Sequence, residues 1–106
     1  PTQRFWNIKQ LSMTPADAFA IPTVCDKDNV NVASFINAAR EEGAVHIVNN
    51  AASCDAVITG LPASAEDAVV YVTNSHQNAE AELVPVKDGI IKVTMPAESF
   101  ISIITR

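Results

Sequence analysis

The sequence predicts an all-β fold, an antiparallel β-sandwich of about seven or eight strands (Greek-key or Ig-like), preceded by one short N-terminal helix. From Ala18 onward, short runs rich in Val, Ile, Thr and Phe recur about every 8–12 residues with turn residues between them. Only residues 1–13 show helical spacing. Hydrophobic residues form 48% of the 106-residue chain and charged residues 18%, which is typical of a single folded domain rather than a disordered chain.

The N-terminal segment PTQRFWNIKQLSM predicts the helix. Thr2 is suited to the N-cap, and Phe5, Ile8 and Met13 trace one face. The helix should end at Thr14, because a residue that precedes proline avoids the α-helical region.

The pair Phe5-Trp6 would expose a large apolar area on this helix unless another surface covers it. The helix therefore either folds back over the sandwich or belongs to a neighbouring domain. Because the chain begins at Pro1 rather than Met, we expect a processed chain or a piece of a longer one, and we favour the neighbouring domain. Phe5 and Trp6 are then the expected interdomain packing residues.

The remaining chain predicts strands at eight positions in succession. They are expected near 18–25, 31–39, 44–49, 54–60, 68–74, 79–86, 90–95 and 98–105. The Asp88-Gly89 pair between the sixth and seventh runs is the strongest hairpin signal in the chain. Alternation is clean in the seventh run, where Ile91, Val93 and Met95 share one face.

Charge and composition exclude several classes of function. The net charge is −5 and the seven basic residues are scattered, so no cationic surface for nucleic acid is expected. No apolar stretch is long enough for a transmembrane span. With three glycines and no glycine-rich phosphate loop, no cofactor is expected.

Glu80 and Glu82 form the carboxylate pair that most resembles a hydrolytic site. They lie two apart on an expected strand and so share a face at roughly 6.5–7 Å, near the separation of an inverting glycosidase pair. The favoured interpretation is the solvated face of an edge strand, where charge discourages aggregation. Glu41-Glu42 is expected in a solvated turn. We therefore assign no catalytic residue.

Histidine and cysteine offer no stronger site. His46 is expected as a half-buried strand residue, and His76 adjoins Ser75 in a loop, which does not by itself make a nucleophile–base pair. Cys25 and Cys54 lack the C-x-x-C spacing of structural zinc sites, so no metal is expected. The two cysteines are expected to be separately buried thiols, with a disulfide as the alternative.

The remaining candidate function is contact with a glycan, for which the sequence evidence is weak. Tyr71 is an aromatic strand residue with a polar end, and Asn49 and Asn50 lie where side-chain amides could bond sugar hydroxyls. Asparagine is also ordinary turn chemistry. The strand aromatics are otherwise expected in the core; they are Phe19, Phe35, Tyr71 and Phe100.

Three stretches resemble family 30 glycoside hydrolases of bacteria. RFWNIKQLSMTP followed by AFAIP is similar to the junction where the last helix of a catalytic (β/α)8 barrel enters a C-terminal β-domain. AVHIVNNAASCDAVITGLP resembles a strand pair of that domain, and DGIIKVTMPAESFISIITR resembles its closing strands.

The resemblance implies that residues 1–13 are the end of a barrel and 14–106 a C-terminal β-sandwich that packs on it. It implies a secreted, periplasmic or cell-surface enzyme that degrades polysaccharide, of a kind found in gut Bacteroidetes, with retaining chemistry by two barrel glutamates. None of those barrel motifs occurs here. In the family, strands from before the barrel also join the β-domain, and this chain would lack them.

The sequence thus favours a non-catalytic accessory domain of a glycoside hydrolase, whose partner is the barrel of the same parent chain. The alternatives are an independent carbohydrate-binding module and a structural Ig-like spacer.

Overall fold

The structure, a computed structural model, describes residues 2–105. One helix, α1, precedes eight strands. The elements are α1 Gln3–Leu11, β1 Phe19–Ile21, β2 Val30–Asn37, β3 Glu42–Asn49, β4 Cys54–Ile58, β5 Asp67–Thr73, β6 Glu80–Pro85, β7 Ile91–Met95 and β8 Ser99–Thr105. Every expected strand is present, and most bounds agree within two residues; β1 is the exception, ending at Ile21.

The strands form two antiparallel sheets, which confirms the sandwich. One sheet has six strands in the order β1-β2-β3-β8-β5-β6, and the other pairs β4 with β7. The chain therefore crosses to the small sheet after β3 and again after β6.

The core lies between β7 and the centre of the large sheet. Ile91, Val93 and Met95 are buried along β7 while the residues between them are exposed, as the alternation predicts. They pack in one cluster with Ile101 and Ile103 of β8, which are wholly buried. Burial of this inner face is the main force that holds the two sheets together.

β8 is buried on both faces because α1 lies over the outer side of β5 and β8. The outward-facing Ser102 is as inaccessible as Ile101 and Ile103, and His46 beside it on β3 is also buried. This part of the molecule therefore has three layers: helix, large sheet and small sheet.

The helix begins as expected, and it packs on the large sheet through a polar residue. Thr2 is the N-cap and its side chain accepts the backbone N–H of Phe5 at 3.4 Å. Phe5 and Ile8, which trace one apolar face of the helix, are exposed, and the buried residue of α1 is Gln10. An apolar pattern does not reveal that this helix packs through an amide.

The Asp88-Gly89 turn forms, but its flanking strands do not pair with each other. Both residues have positive φ, and Lys87 and Ile90 exchange two backbone hydrogen bonds across the turn. The pairing stops there, because the chain changes sheet and β7 pairs with β4 instead. The expectation of a hairpin between the sixth and seventh strands is wrong.

The small sheet covers only part of the large one. Beside β4, a cleft of about 510 Å³ opens over the inner side of β1, β2 and β3. Phe19, expected in the core, is 77% exposed on β1 because no strand of the described chain lies opposite it. We call this opening the β4 cleft; its lining includes Ile21, Val24, Val32, Ile36, Val57 and Pro62.

Candidate functional site

Gln10 fixes α1 to the large sheet. Its side-chain Nε2 donates to Ser102 Oγ at 3.0 Å and to the carbonyl oxygens of Tyr71 and Phe100 at 3.3 Å. Its Oε1 accepts from the Thr73 hydroxyl, which in turn accepts the backbone N–H of Ala79. One wholly buried amide therefore ties the helix to β5 and β8 together.

His46 extends this polar cluster toward the end of the helix. Its Nδ1 lies 2.7 Å from Ser102 Oγ, and its Nε2 lies 2.8 Å from Thr14 Oγ1. The ring stacks on Phe100 with centroids 6.0 Å apart. Burial lowers the pKa of His46 below its usual value, because a buried ring loses the hydration that stabilises its charged form.

The opposite side of α1 presents apolar side chains to solvent. Phe5, Ile8 and Leu11 are each about half exposed. Trp6 is half-buried and meets Phe5 edge to face, with ring centroids 5.1 Å apart. We call the surface formed by Phe5, Ile8 and Leu11 the α1 outer face. Trp6 Nε1 and the neighbouring Asn7 Oδ1 are buried without a hydrogen-bond partner.

The three residues considered for glycan contact do not share one surface. Asn49 pairs with Ser99, and Tyr71 pairs with Ser102. Ser99 and Ser102 are an odd number of residues apart on β8, so Asn49 and Tyr71 face opposite sides of the sheet.

Asn49 is also committed within the fold. It is wholly buried, and its Nδ2 donates to the carbonyl oxygens of Ala52, Met95 and Pro96. Its Oδ1 accepts the backbone N–H of Ala51. Contact with a glycan at Tyr71, which is half-buried, or at the exposed Asn50 stays a prediction.

The other candidate residues lie apart from one another. Glu80 and Glu82 are exposed on the edge strand β6, as the solvated-edge interpretation expects. His76 lies in an exposed loop. Cys25 and Cys54 are free thiols; Cys25 is exposed, so the expectation that both are buried is wrong for it.

Among residues 2–105, no three His, Cys, Asp or Glu side chains are grouped so as to hold a metal ion. Over the same residues, no helix is long and apolar enough to cross a membrane.

Sequence reasoning missed the cluster formed by Gln10, Thr73, Ser102, His46 and Thr14. Its signal was present in the polar residues Thr73 and Ser102 inside otherwise apolar strands. Such residues are ordinarily solvated in a half-exposed strand, and only the position of α1 makes them buried.

No protein-family model matches this chain, and no curated protein matches it. Among solved structures, it is similar to a GH30 endoxylanase from Clostridium papyrosolvens, with a TM-score of 0.86 and 20% identity over 98% of this chain and 28% of that one. It is similar to a GH30 subfamily 8 xylanase from Clostridium acetobutylicum, with a TM-score of 0.83 and 12% identity over 97% of this chain and 27% of that one. For the catalytic domain of GH30 xylanase C from Talaromyces cellulolyticus, the TM-score is 0.68 and the identity 25%, over 85% of this chain and 21% of that one.

These comparisons show which known fold the chain shares. The chain has the fold of a segment of glycoside hydrolase family 30 xylanases, the family that its sequence resembles, and it spans less than a third of their length. The resemblance seen in the sequence is thus confirmed for the fold.

Proposed function

We propose that this chain is a non-catalytic accessory domain of a secreted glycoside hydrolase, which packs against and stabilises a (β/α)8 barrel in the same parent chain. The observation that carries the proposal is the coverage: nearly all of this chain matches, but only 28% of the endoxylanase chain is matched. The parent would hydrolyse O-glycosyl bonds of a polysaccharide with barrel residues, and this segment would contribute stability.

The α1 outer face is the proposed contact with the barrel. Full burial of an exposed Phe, Ile or Leu side chain contributes about 1.5–3 kcal/mol, so Phe5, Ile8 and Leu11 together offer a substantial docking energy. Gln10 holds the other side of the same helix on the sandwich. Residues 1–13 would therefore be shared between the barrel and the sandwich of residues 14–106.

The β4 cleft supports the proposal independently. β4 has a free edge in the described chain, and apolar residues of β1 and β2 face an opening beside it. The family resemblance implies that strands from before the barrel complete the β-domain. Such a strand added to the free edge of β4 would lie over the exposed inner side of β1.

The experiment compares two matched substitutions in two contexts. Ile8 on α1 and Leu83 on β6 are 57% and 56% exposed. In the longer protein, Ile8→Ala should lower the free energy of unfolding by about 2 kcal/mol because it empties part of the interdomain contact. Leu83→Ala should change it little. In the 106-residue chain, both should be nearly neutral.

Denaturant unfolding of all four variants measures this. Equal effects of Ile8→Ala in the two contexts would overturn the docking role. Trp6→Ala should also destabilise the longer protein more than the 106-residue chain, but Trp6 is half-buried within the chain itself and is a less selective probe.

A second candidate is glycan binding by the sandwich. A small cavity of about 280 Å³ between α1 and the end of β3 is lined by Gln3, Asn7, Asn50 and Glu98, which are side chains able to bond sugar hydroxyls. Binding would retard the chain in native gels that contain polysaccharide, and Asn50→Ala would abolish the retardation. Unaltered migration, combined with no effect of Ile8→Ala, would leave a structural spacer as the function.

A further inference from the structure

The donors and acceptors of the hydrogen bonds around His46 can be assigned from its neighbours. Thr14 Oγ1 donates its only hydrogen to Leu11 O at 2.7 Å, so it must accept from His46 Nε2–H. Ser102 Oγ accepts from Gln10 Nε2, which has no lone pair to offer, so the Ser102 hydrogen is free to point at His46 Nδ1. This arrangement assigns the neutral Nε2–H tautomer to His46.

Protonation of His46 would reverse the direction of its hydrogen bond with Ser102. Nδ1 would become a donor, and Ser102 Oγ would then accept from both His46 and Gln10. The Ser102 hydroxyl hydrogen would lose its acceptor inside a wholly buried site. An unpartnered buried donor is unfavourable, and so is a buried charge.

Among residues 2–105, no acidic side chain lies in strand register with the His46 ring to compensate a positive charge. In register with His46, β2 contributes Ala33 and β8 contributes Ser102. The titratable or charged residues on the elements around it are Arg4 and Lys9, which are exposed on α1, Glu42 four residues away on β3, and Asp67 and Tyr71 on the outer side of β5. The lowered pKa of His46 is attributed to burial.

We propose that the contact between α1 and the large sheet is a pH-sensitive latch, closed by neutral His46 and weakened when His46 is protonated. The latch acts through Ser102 and Gln10 on one side of the ring and through Thr14, just beyond the helix, on the other. Acid would loosen α1 from β5 and β8 while the two-sheet core stays intact. This inference concerns the 106-residue chain alone and does not depend on the proposed function.

The direction of the pH effect follows from linkage. With α1 released, His46 regains water and its ordinary pKa near 6.5, whereas the docked state holds that pKa lower. The released state therefore binds more protons in this range. Docking should be fully stable above pH 6.5 and weaken as the pH falls from there to the lowered value, by at most about tenfold in the equilibrium constant per pH unit.

The chain has built-in probes for a test. Trp6 is its only tryptophan and lies on α1, and His76 is its only other histidine and lies in an exposed loop. Iodide quenching of Trp6 fluorescence between pH 8 and pH 5 should rise with a midpoint below pH 6.5. His76→Gln should behave like the unmodified chain. His46→Gln, which retains a donor and an acceptor but does not titrate, should give a flat profile.

A second measurement uses the unmodified chain, in case His46→Gln does not fold. Protection factors of the α1 backbone amides against hydrogen exchange should fall over the pH range in which the His46 ring titrates by NMR, while those of β7 and β8 stay high. A pH response that persists in His46→Gln would overturn the latch, as would unchanged protection of α1 between pH 8 and pH 5.

Discussion

At the scale of single residues, two buried side-chain amides have structural roles that cannot be inferred from the residue type alone. Gln10 and Asn49 are both wholly buried, and each bonds several partners from distant parts of the chain. Removing one partner from a satisfied buried network leaves the others unpaired, which costs more than the bonds contribute when intact. Each amide has an exposed counterpart nearby that serves as its control.

Gln10→Ala should lower the free energy of unfolding by about 3 kcal/mol, because Thr73 and Ser102 lose a buried partner. Gln3→Ala, at the exposed first residue of the same helix, should change it by less than about 0.5 kcal/mol. Urea denaturation at pH 8 measures both. Equal effects of the two substitutions would contradict the anchoring role of Gln10.

Asn49→Ala should lower the free energy of unfolding by about 2–3 kcal/mol, since the carbonyls of Ala52 and Pro96 would lose their donor. Asn50→Ala, one residue later and exposed, should be close to neutral in thermal unfolding. A neutral Asn49→Ala would mean that its amide is dispensable for the fold and would return it to consideration as a ligand contact.

At the scale of elements, the Asp88-Gly89 turn is fixed by both conformation and space. Gly89 has a φ of 72°, and a Cβ added there would lie 2.7 Å from the carbonyl oxygen of Leu61. Gly60 also has positive φ, at 83°, but a Cβ added to it would meet open space. Substituting each glycine with alanine therefore separates the free-energy cost of the left-handed backbone conformation from the cost of a steric clash.

Gly60→Ala should cost about 1 kcal/mol, from the left-handed conformation alone. Gly89→Ala should cost about 2–3 kcal/mol, because the loop around Leu61 must also move. Thermal unfolding of the two variants provides the comparison. If Gly89→Ala were no more destabilising than Gly60→Ala, the close approach to Leu61 would not be important for stability.

The strands were predictable because each carries its own local signal. β7 alternates apolar and polar residues, and a two-residue turn precedes it. The buried face of α1 was not predictable in this way. Its apolar residues Phe5 and Ile8 point to solvent, and the residue that packs is a glutamine whose partners lie more than 60 positions away.

At the scale of the whole molecule, the incomplete second sheet is the most informative feature. Ile21 on β1 is 40% exposed and lines the β4 cleft. If the cleft is covered in the longer protein, Ile21→Lys should destabilise the longer protein by about 2 kcal/mol or more, because it would bury an unpaired charge, and should cost much less in the 106-residue chain. Thermal unfolding in both contexts measures this, with Leu83→Lys on the edge strand β6 as the control.

The sequence by itself determined that there are about seven or eight strands, nearly all of their bounds and the N-cap of α1, because these depend on periodicity, turn residues and capping within a few positions. The kinship of the fold came from the resemblance of three stretches to family 30. The tertiary structure alone decided which strands pair, since the Asp88-Gly89 signal is equally compatible with a hairpin and with a change of sheet. It also decided that Asn49 is inside and Phe19 outside. Burial depends on what lies opposite a residue, and that is set by parts of the chain far away in sequence.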